Sequence, residues 1–157
     1  MLTINPIPLQ GVVVYGTHCY KIFVLMIALS LYGCDRTKDI SQDVAMIRSI
    51  IEQRAVAIAN NDITLYRNLF LPEYNDIGVG RDQVVATMER NFKQYPHMTF
   101  EHGGSPIEIT MNTARIVHQI TYRSEGWEKP VYDREILYFR RVDGKWYMSA
   151  GVKVDLF

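Results

Sequence analysis

The sequence predicts an α+β domain in which three helices pack on a curved antiparallel sheet, preceded by a signal peptide. Three observations predict it. Apolar residues recur at helical spacing from Val44 to Phe92, they alternate with polar ones from His97 onward, and the stretch before them, Met1 to Gly33, holds no acidic residue and a single basic one, Lys21. With 157 residues the chain has room for a leader and one domain, which commonly runs to about 100 to 150 residues. Lys plus Arg and Asp plus Glu both total 17, so no strong basic field draws the chain to nucleic acid or anionic lipid.

Lys21 precedes the run Ile22 to Leu31, whose length fits the roughly 7 to 15 residues of a signal-peptide core and falls short of the ~20 that span a bilayer. The run ends in Leu31-Tyr32-Gly33-Cys34, an aliphatic residue, a variable one, a small one and a cysteine, and this resembles the lipobox of bacterial lipoproteins. The resemblance implies cleavage after Gly33 and lipid on Cys34, which makes the membrane a partner, since two or more acyl chains anchor a protein stably where one holds it only marginally. Asp35 resembles the residue that retains lipoproteins in the inner membrane of enteric bacteria. The expected address is a bacterial cell envelope, with the domain on the extracytoplasmic side. Cys19 would leave with the leader, so the mature protein keeps one cysteine and no internal disulfide. Residues 1–33 are then the signal peptide, 34–42 a polar lipidated tether, and 43–157 the domain.

Within the domain, Val44, Ile47, Ile51 and Ile58 mark the inner stripe of a first helix, widened by Met46, Ile50 and Ala57. Asn60-Asn61 breaks it. Asp62 can cap a second helix with Leu65, Tyr66, Leu69 and Phe70 on its apolar face, and Pro72 ends it. Glu73 to Gly80 reads as a loop or brief strand, and Val84, Val85, Met88 and Phe92 line a third helix that stops at Tyr95-Pro96. Then the period becomes two: Met98, Phe100 and His102; Ile107 and Ile109 after Gly103-Gly104-Ser105-Pro106; and Ala114, Ile116, His118, Ile120 and Tyr122. Val131–Val142 and Lys145–Val154 form the last strand pair, joined by Asp143-Gly144, a dipeptide suited to a type I′ turn because both central residues need positive φ.

This order of elements, with Asn61-Asp62, Leu69-Phe70-Leu71-Pro72, Gly80-Arg81 and Arg140 to Tyr147 as local supports, resembles the cone fold of the nuclear transport factor 2-like superfamily, which includes ketosteroid isomerase, scytalone dehydratase and polyketide cyclases. The resemblance covers about Asp43 to Gly151. It implies a small hydrophobic ligand between helices and sheet, but no shared catalytic motif, so fold alone does not assign an activity.

Several residues can carry chemistry in such a cone. Asp133 and Glu135 share strand parity with Leu137 and Phe139, so both carboxylates face inward if those apolar residues do; an acid against an apolar wall can serve as a general base. The alternative places both at the sheet edge, paired with Arg134, Arg115 or Arg123. His118 and Tyr122 lie on the apolar parity of their strand and can bind or protonate a ligand, with His102 nearby, or be packed core. Tyr66 and Tyr95 can reach the interior from the helices, and Trp127 sits in a polar loop at a mouth or contact surface. Zinc needs three or four convergent ligands, and His97, His102 and His118 lack such spacing, so neither metal nor cofactor is expected. A G-x-S-x-G turn and a P-loop are both missing. The leading expectation is a non-catalytic, tethered module binding a small apolar ligand or a protein. The rivals are a lyase or isomerase using Asp133 or Glu135 with His118 and Tyr122, and a homodimer that pairs through the sheet face bearing Tyr132, Ile136 and Tyr138.

Overall fold

The computed structural model describes residues Asp39–Val154; the expected signal peptide, with Cys34 as its expected lipidation site, and Asp35 lie outside them. The first helix, α1 (residues 39–59), takes in the end of the expected tether and buries Ile47, Ile50, Ile51, Ala57 and Ile58, the stripe its spacing predicts. Asp43, in its first turns, is buried: its carboxylate accepts from the Trp146 indole N–H at 2.8 Å and from Arg141 at 3.0 Å, which ties this end of the helix to the far hairpin. Asp62 caps α2 (Ile63–Asn68) by accepting from the Leu65 N–H at 2.8 Å, a contact typically worth ~1 kcal/mol. Leu69 and Phe70, expected inside that helix, follow it instead. Phe70 makes a parallel bridge to Met148, with Met148 N–H donating to Leu69 and Leu71 N–H donating to Met148, both at 2.9 Å.

Asn75–Asp76 (β1) and Val79–Gly80 (β2) form a small hairpin, and α3 (Arg81–Gln94) follows with Val84, Val85, Met88 and Asn91 buried. The main sheet comprises β3 (Thr99–His102), β4 (Ile107–Thr110), β5 (Thr113–Arg123), β6 (Val131–Val142) and β7 (Lys145–Ala150), all pairings antiparallel. Its order is β3-β5-β6-β7, with β4 also on β5. β3 and β4 thus share one edge of β5, pairing with residues 120–123 and 113–116 respectively, and Gly103 to Pro106 separates them. A bulge at Tyr138/Phe139 adds curvature between β6 and β7. Asp143 and Gly144 have φ of 48° and 77°, as the type I′ turn requires.

Alternation on β5 holds without a slip: Ala114, Ile116, His118, Ile120 and Tyr122 are all buried. These side chains and Leu137, Phe139 and Met148 meet the helices in one core, where each large apolar side chain contributes roughly 1.5–3 kcal/mol. The curled antiparallel sheet with helices inside its bend is the predicted cone. The expected last strand, Lys145–Val154, is shorter than its apolar pattern suggests. It ends at Ala150 because Gly151 turns at φ 88°, where any Cβ would overlap the Ile136 carbonyl. The chain leaves the sheet there and carries Val152 and Val154 into the core. Among the described residues no helix is long and apolar enough to cross a membrane.

Candidate functional site: a buried Arg54–Glu135 cluster

Glu135, on β6, points into the cone and is fully buried. Arg54 reaches it from α1, where it and Asp43 are the buried charged side chains among apolar ones: Nη1 lies 2.6 Å from Oε2 and Nη2 3.0 Å from Oε1. Oε2 also faces His118 Nε2 at 3.0 Å, and Oε1 accepts from the Lys153 backbone N–H at 2.7 Å. A carboxylate offers about four acceptor positions, and here each is used. Burial alone pushes the Glu135 pKa up, but the Arg54 charge and the bonds from His118, Arg54 and Lys153 outweigh it and hold it down at about 2. On Arg54, likewise, the loss of water is outweighed by the Glu135 charge, and its pKa lies well above the usual value. Since an ionised Glu135 can only accept, His118 Nε2 carries the hydrogen between them.

Around this pair, Arg54 lies over the Phe100 ring at 4.5 Å and donates to the Tyr122 hydroxyl at 2.9 Å. Tyr122 in turn donates to the Lys153 carbonyl at 3.2 Å. Burial raises the Tyr122 pKa to about 12 and that of Tyr66 further still, so both phenols stay protonated at neutral pH. Three buried polar atoms in the neighbourhood have no hydrogen-bond partner among the described residues: Arg54 Nε, Tyr66 Oη and His118 Nδ1.

Of the residues singled out from sequence, the structure thus brings Glu135, His118 and Tyr122 together and sets Tyr66 within electrostatic reach of Arg54. Asp133 is not among them. It shares the inward parity of Glu135 but lies at the rim, 42% exposed, where its carboxylate meets Lys153 Nζ at 2.6 Å; this bond and that from the Arg134 N–H lower its pKa. Neither acid pairs with Arg134, Arg115 or Arg123 through its side chain in the way an edge position predicts; Arg115 and Arg123 pair with Glu108 and Glu101. His102 also stays at the rim, 3.3 Å from Glu52, with its ring 6.0 Å from that of His118. Tyr95 and Trp127 pack against each other, centroids 5.1 Å apart, and both are half-buried, so Trp127 is not an open mouth residue. Arg54 was legible only as a charge between Ile51 and Ile58 on the buried stripe, and a buried charge is the informative exception. Among the described residues, no group of three His, Cys, Asp or Glu side chains is placed to hold a metal.

No family model matches the chain, and no curated protein matches it. Solved structures do. An NTF2-like protein with a cystatin-like fold from Novosphingobium aromaticivorans superposes with a TM-score of 0.65 at 15% identity, covering 77% of this chain and 86% of that one. An NTF2-like protein of unknown function from Pseudomonas putida KT2440 gives 0.62 at 18%, covering 71% and 84%. A provisionally named scytalone dehydratase from Novosphingobium aromaticivorans DSM 12444 gives 0.60 at 16%, covering 73% and 85%. The domain therefore has the nuclear transport factor 2-like, cystatin-like cone fold. At these identities the likeness extends to the fold alone.

Proposed function

We propose that this chain is a lipid-anchored, non-catalytic binding module of a bacterial cell envelope. The observation that carries the non-catalytic half is the saturation of Glu135: with its four acceptor positions filled and its pKa near 2, it is a poor base for a substrate proton at neutral pH. The anchor half rests on Leu31-Tyr32-Gly33-Cys34 behind the apolar run. Binding is drawn to the cone mouth, where a cavity of about 320 Å³ is lined by Tyr74, Asp76, Val79, Val84, Asp133 and the chain's last described residues. The lyase or isomerase reading has one observation in its favour, the 3.0 Å contact between His118 and Glu135.

Native mass spectrometry of the chain with Cys34→Ser, purified from its own host, tests the binding half. A reproducible, stoichiometric added mass supports it. Consumption of a metabolite by catalytic amounts of the protein, abolished by His118→Asn, establishes the rival. For the anchor, Cys34→Ala should leave an uncut precursor without acyl label, and a processed, acylated variant would remove that half.

A further inference from the structure

We propose that the outer face of β6 is a docking strip for an extended acidic segment of a partner protein, held by Arg134 and Arg140 on either side of Ile136 and Tyr138. The strip lies on the side of the sheet turned away from the helices, so the inference depends neither on the cone mouth nor on a lipid anchor.

Strand alternation produces the strip. With Glu135, Leu137 and Phe139 turned into the core, β6 turns Tyr132, Arg134, Ile136, Tyr138, Arg140 and Val142 outward, and all six are exposed. Tyrosine and arginine are enriched where proteins touch, and an apolar middle between polar ends is the anatomy of such contacts.

Charge sets the sign of the partner. The outer face from β3 to β6 bears Arg115, Arg123, Arg134 and Arg140 against Glu101 and Glu108. Both glutamates are engaged, Glu108 with Arg115 at 3.1 Å and Glu101 with Arg123 at 3.4 Å. Arg134 and Arg140 have no carboxylate partner among the described residues, and their cross-strand neighbours, Gln119 for Arg134 and Thr113 and Tyr147 for Arg140, are neutral. Arg134 also borders a shallow cleft of about 460 Å³ with Gln119, Thr121 and Tyr132, room for a carboxylate to meet its guanidinium in bidentate fashion. Asp133 borders the cleft as well, but its charge is taken by Lys153 at 2.6 Å.

Geometry selects the occupant. Six positions apart on one strand, Arg134 and Arg140 stand about 20 Å from each other, a distance that one extended segment spans. The two glutamates sit on β4 and β3, which pair with the far edge of β5, about 9 to 10 Å from β6. A segment laid along β6 meets the arginines and misses the glutamates, whereas a broad anionic bilayer meets both. A second copy of the chain brings the same cations to both sides of the contact, and like charges oppose that pairing.

The probe is a synthetic peptide, Asp-Thr-Leu-Thr-Leu-Thr-Asp, blocked at both ends. Extended, it presents its aspartates and leucines on one face at the spacing of Arg134, Ile136, Tyr138 and Arg140. Titrated to about 1 mM, the range of weak contacts, into the full chain carrying Cys34→Ser, it should shift the NMR amide signals of those four residues saturably. Arg134→Gln with Arg140→Gln should weaken binding about tenfold, and a peptide with lysines in place of its aspartates should not bind. Neither arginine makes an ion pair within the described residues, so the double variant should melt like the unsubstituted chain. Should it not fold, the lysine peptide and the map of shifted amides decide the matter on the unsubstituted chain.

The absence of saturable binding, indifference to the arginines or to the peptide's charge, or shifts confined to residues away from β6 would each overturn the strip. Attachment to phosphatidylglycerol vesicles that the double variant loses, with no response to the peptide, would assign the face to a bilayer. A dimer in sedimentation velocity that Tyr138→Asp dissolves and the peptide does not would assign it to a second copy. Either result overturns the partner protein.

Discussion

Arg54 and Glu135 stand 81 positions apart in the chain and meet through two hydrogen bonds, 2.6 and 3.0 Å, with no solvent access to either side chain. Taking both charges out of water costs several kcal/mol each, offset only while the pair is complete. Arg54→Met alone should therefore lower unfolding stability by about 3 to 5 kcal/mol, whereas Arg54→Met with Glu135→Leu should recover most of the loss. Urea unfolding of the three chains checks this, and a single variant that melts like the unsubstituted chain contradicts the buried pair.

The same pair sets the response to acid. Glu135 has a folded pKa near 2, below the ~4.3 of an unfolded glutamate. Its contribution to stability is thus fully present above about pH 4.3 and lost as pH falls from there through about 2. Stability against urea should decline over that window, and Glu135→Gln should flatten the decline. A profile unchanged by the substitution would assign acid lability to other carboxylates.

Asp133 gives the contrasting case. Its bond to Lys153 lowers its pKa, but both side chains are more than a third exposed and water screens the attraction. Asp133→Asn should change stability by no more than ~0.5 kcal/mol, measured by the same unfolding curves. A loss several times larger would mean that the rim is sealed.

Asp43 is small in sequence terms and large structurally. Asp43→Ala would leave the Trp146 indole N–H and one side of Arg141 without their acceptor, at a cost of about 1 to 3 kcal/mol. Trp146 is buried, so its fluorescence should shift to the red if the clamp opens. An unchanged spectrum would show that the hairpin holds itself.

Tyr132, Ile136 and Tyr138 are exposed on the outer sheet face, at 70%, 36% and 43%. If that face pairs two copies, Tyr138→Asp should yield a monomer in sedimentation velocity. A monomer before substitution dismisses the pairing.

Features governed by neighbouring residues were the readable ones. The Asp62 cap, the positive φ at Asp143 and Gly144 and the unbroken parity of β5 each follow from contacts within a few residues. Depth was less readable, because parity gives the side of a strand and not how far along it the core extends. Asp133 and Glu135 share a side and differ in whether the tail and α1 cover them. Arg54 interrupts a helical stripe at the spacing of a core residue, but its partner is on a strand the stripe cannot specify. Val152 and Val154 continued the alternation of β7 and so concealed the turn at Gly151, whose necessity comes from the Ile136 carbonyl across the sheet.

The bridge from Phe70 to Met148 bears on how the molecule behaves in company. An open sheet edge is a template on which another chain can extend the ladder. Here β7 is overlaid by residues 69–71, and the opposite edge is cut by Gly103-Gly104-Ser105-Pro106 into strands of four residues each. Neither side presents a long, straight row of unpaired backbone groups among the described residues. A parallel bridge on one side and a proline-ended gap on the other thus leave another copy only short, interrupted stretches of these two edges on which to extend the ladder.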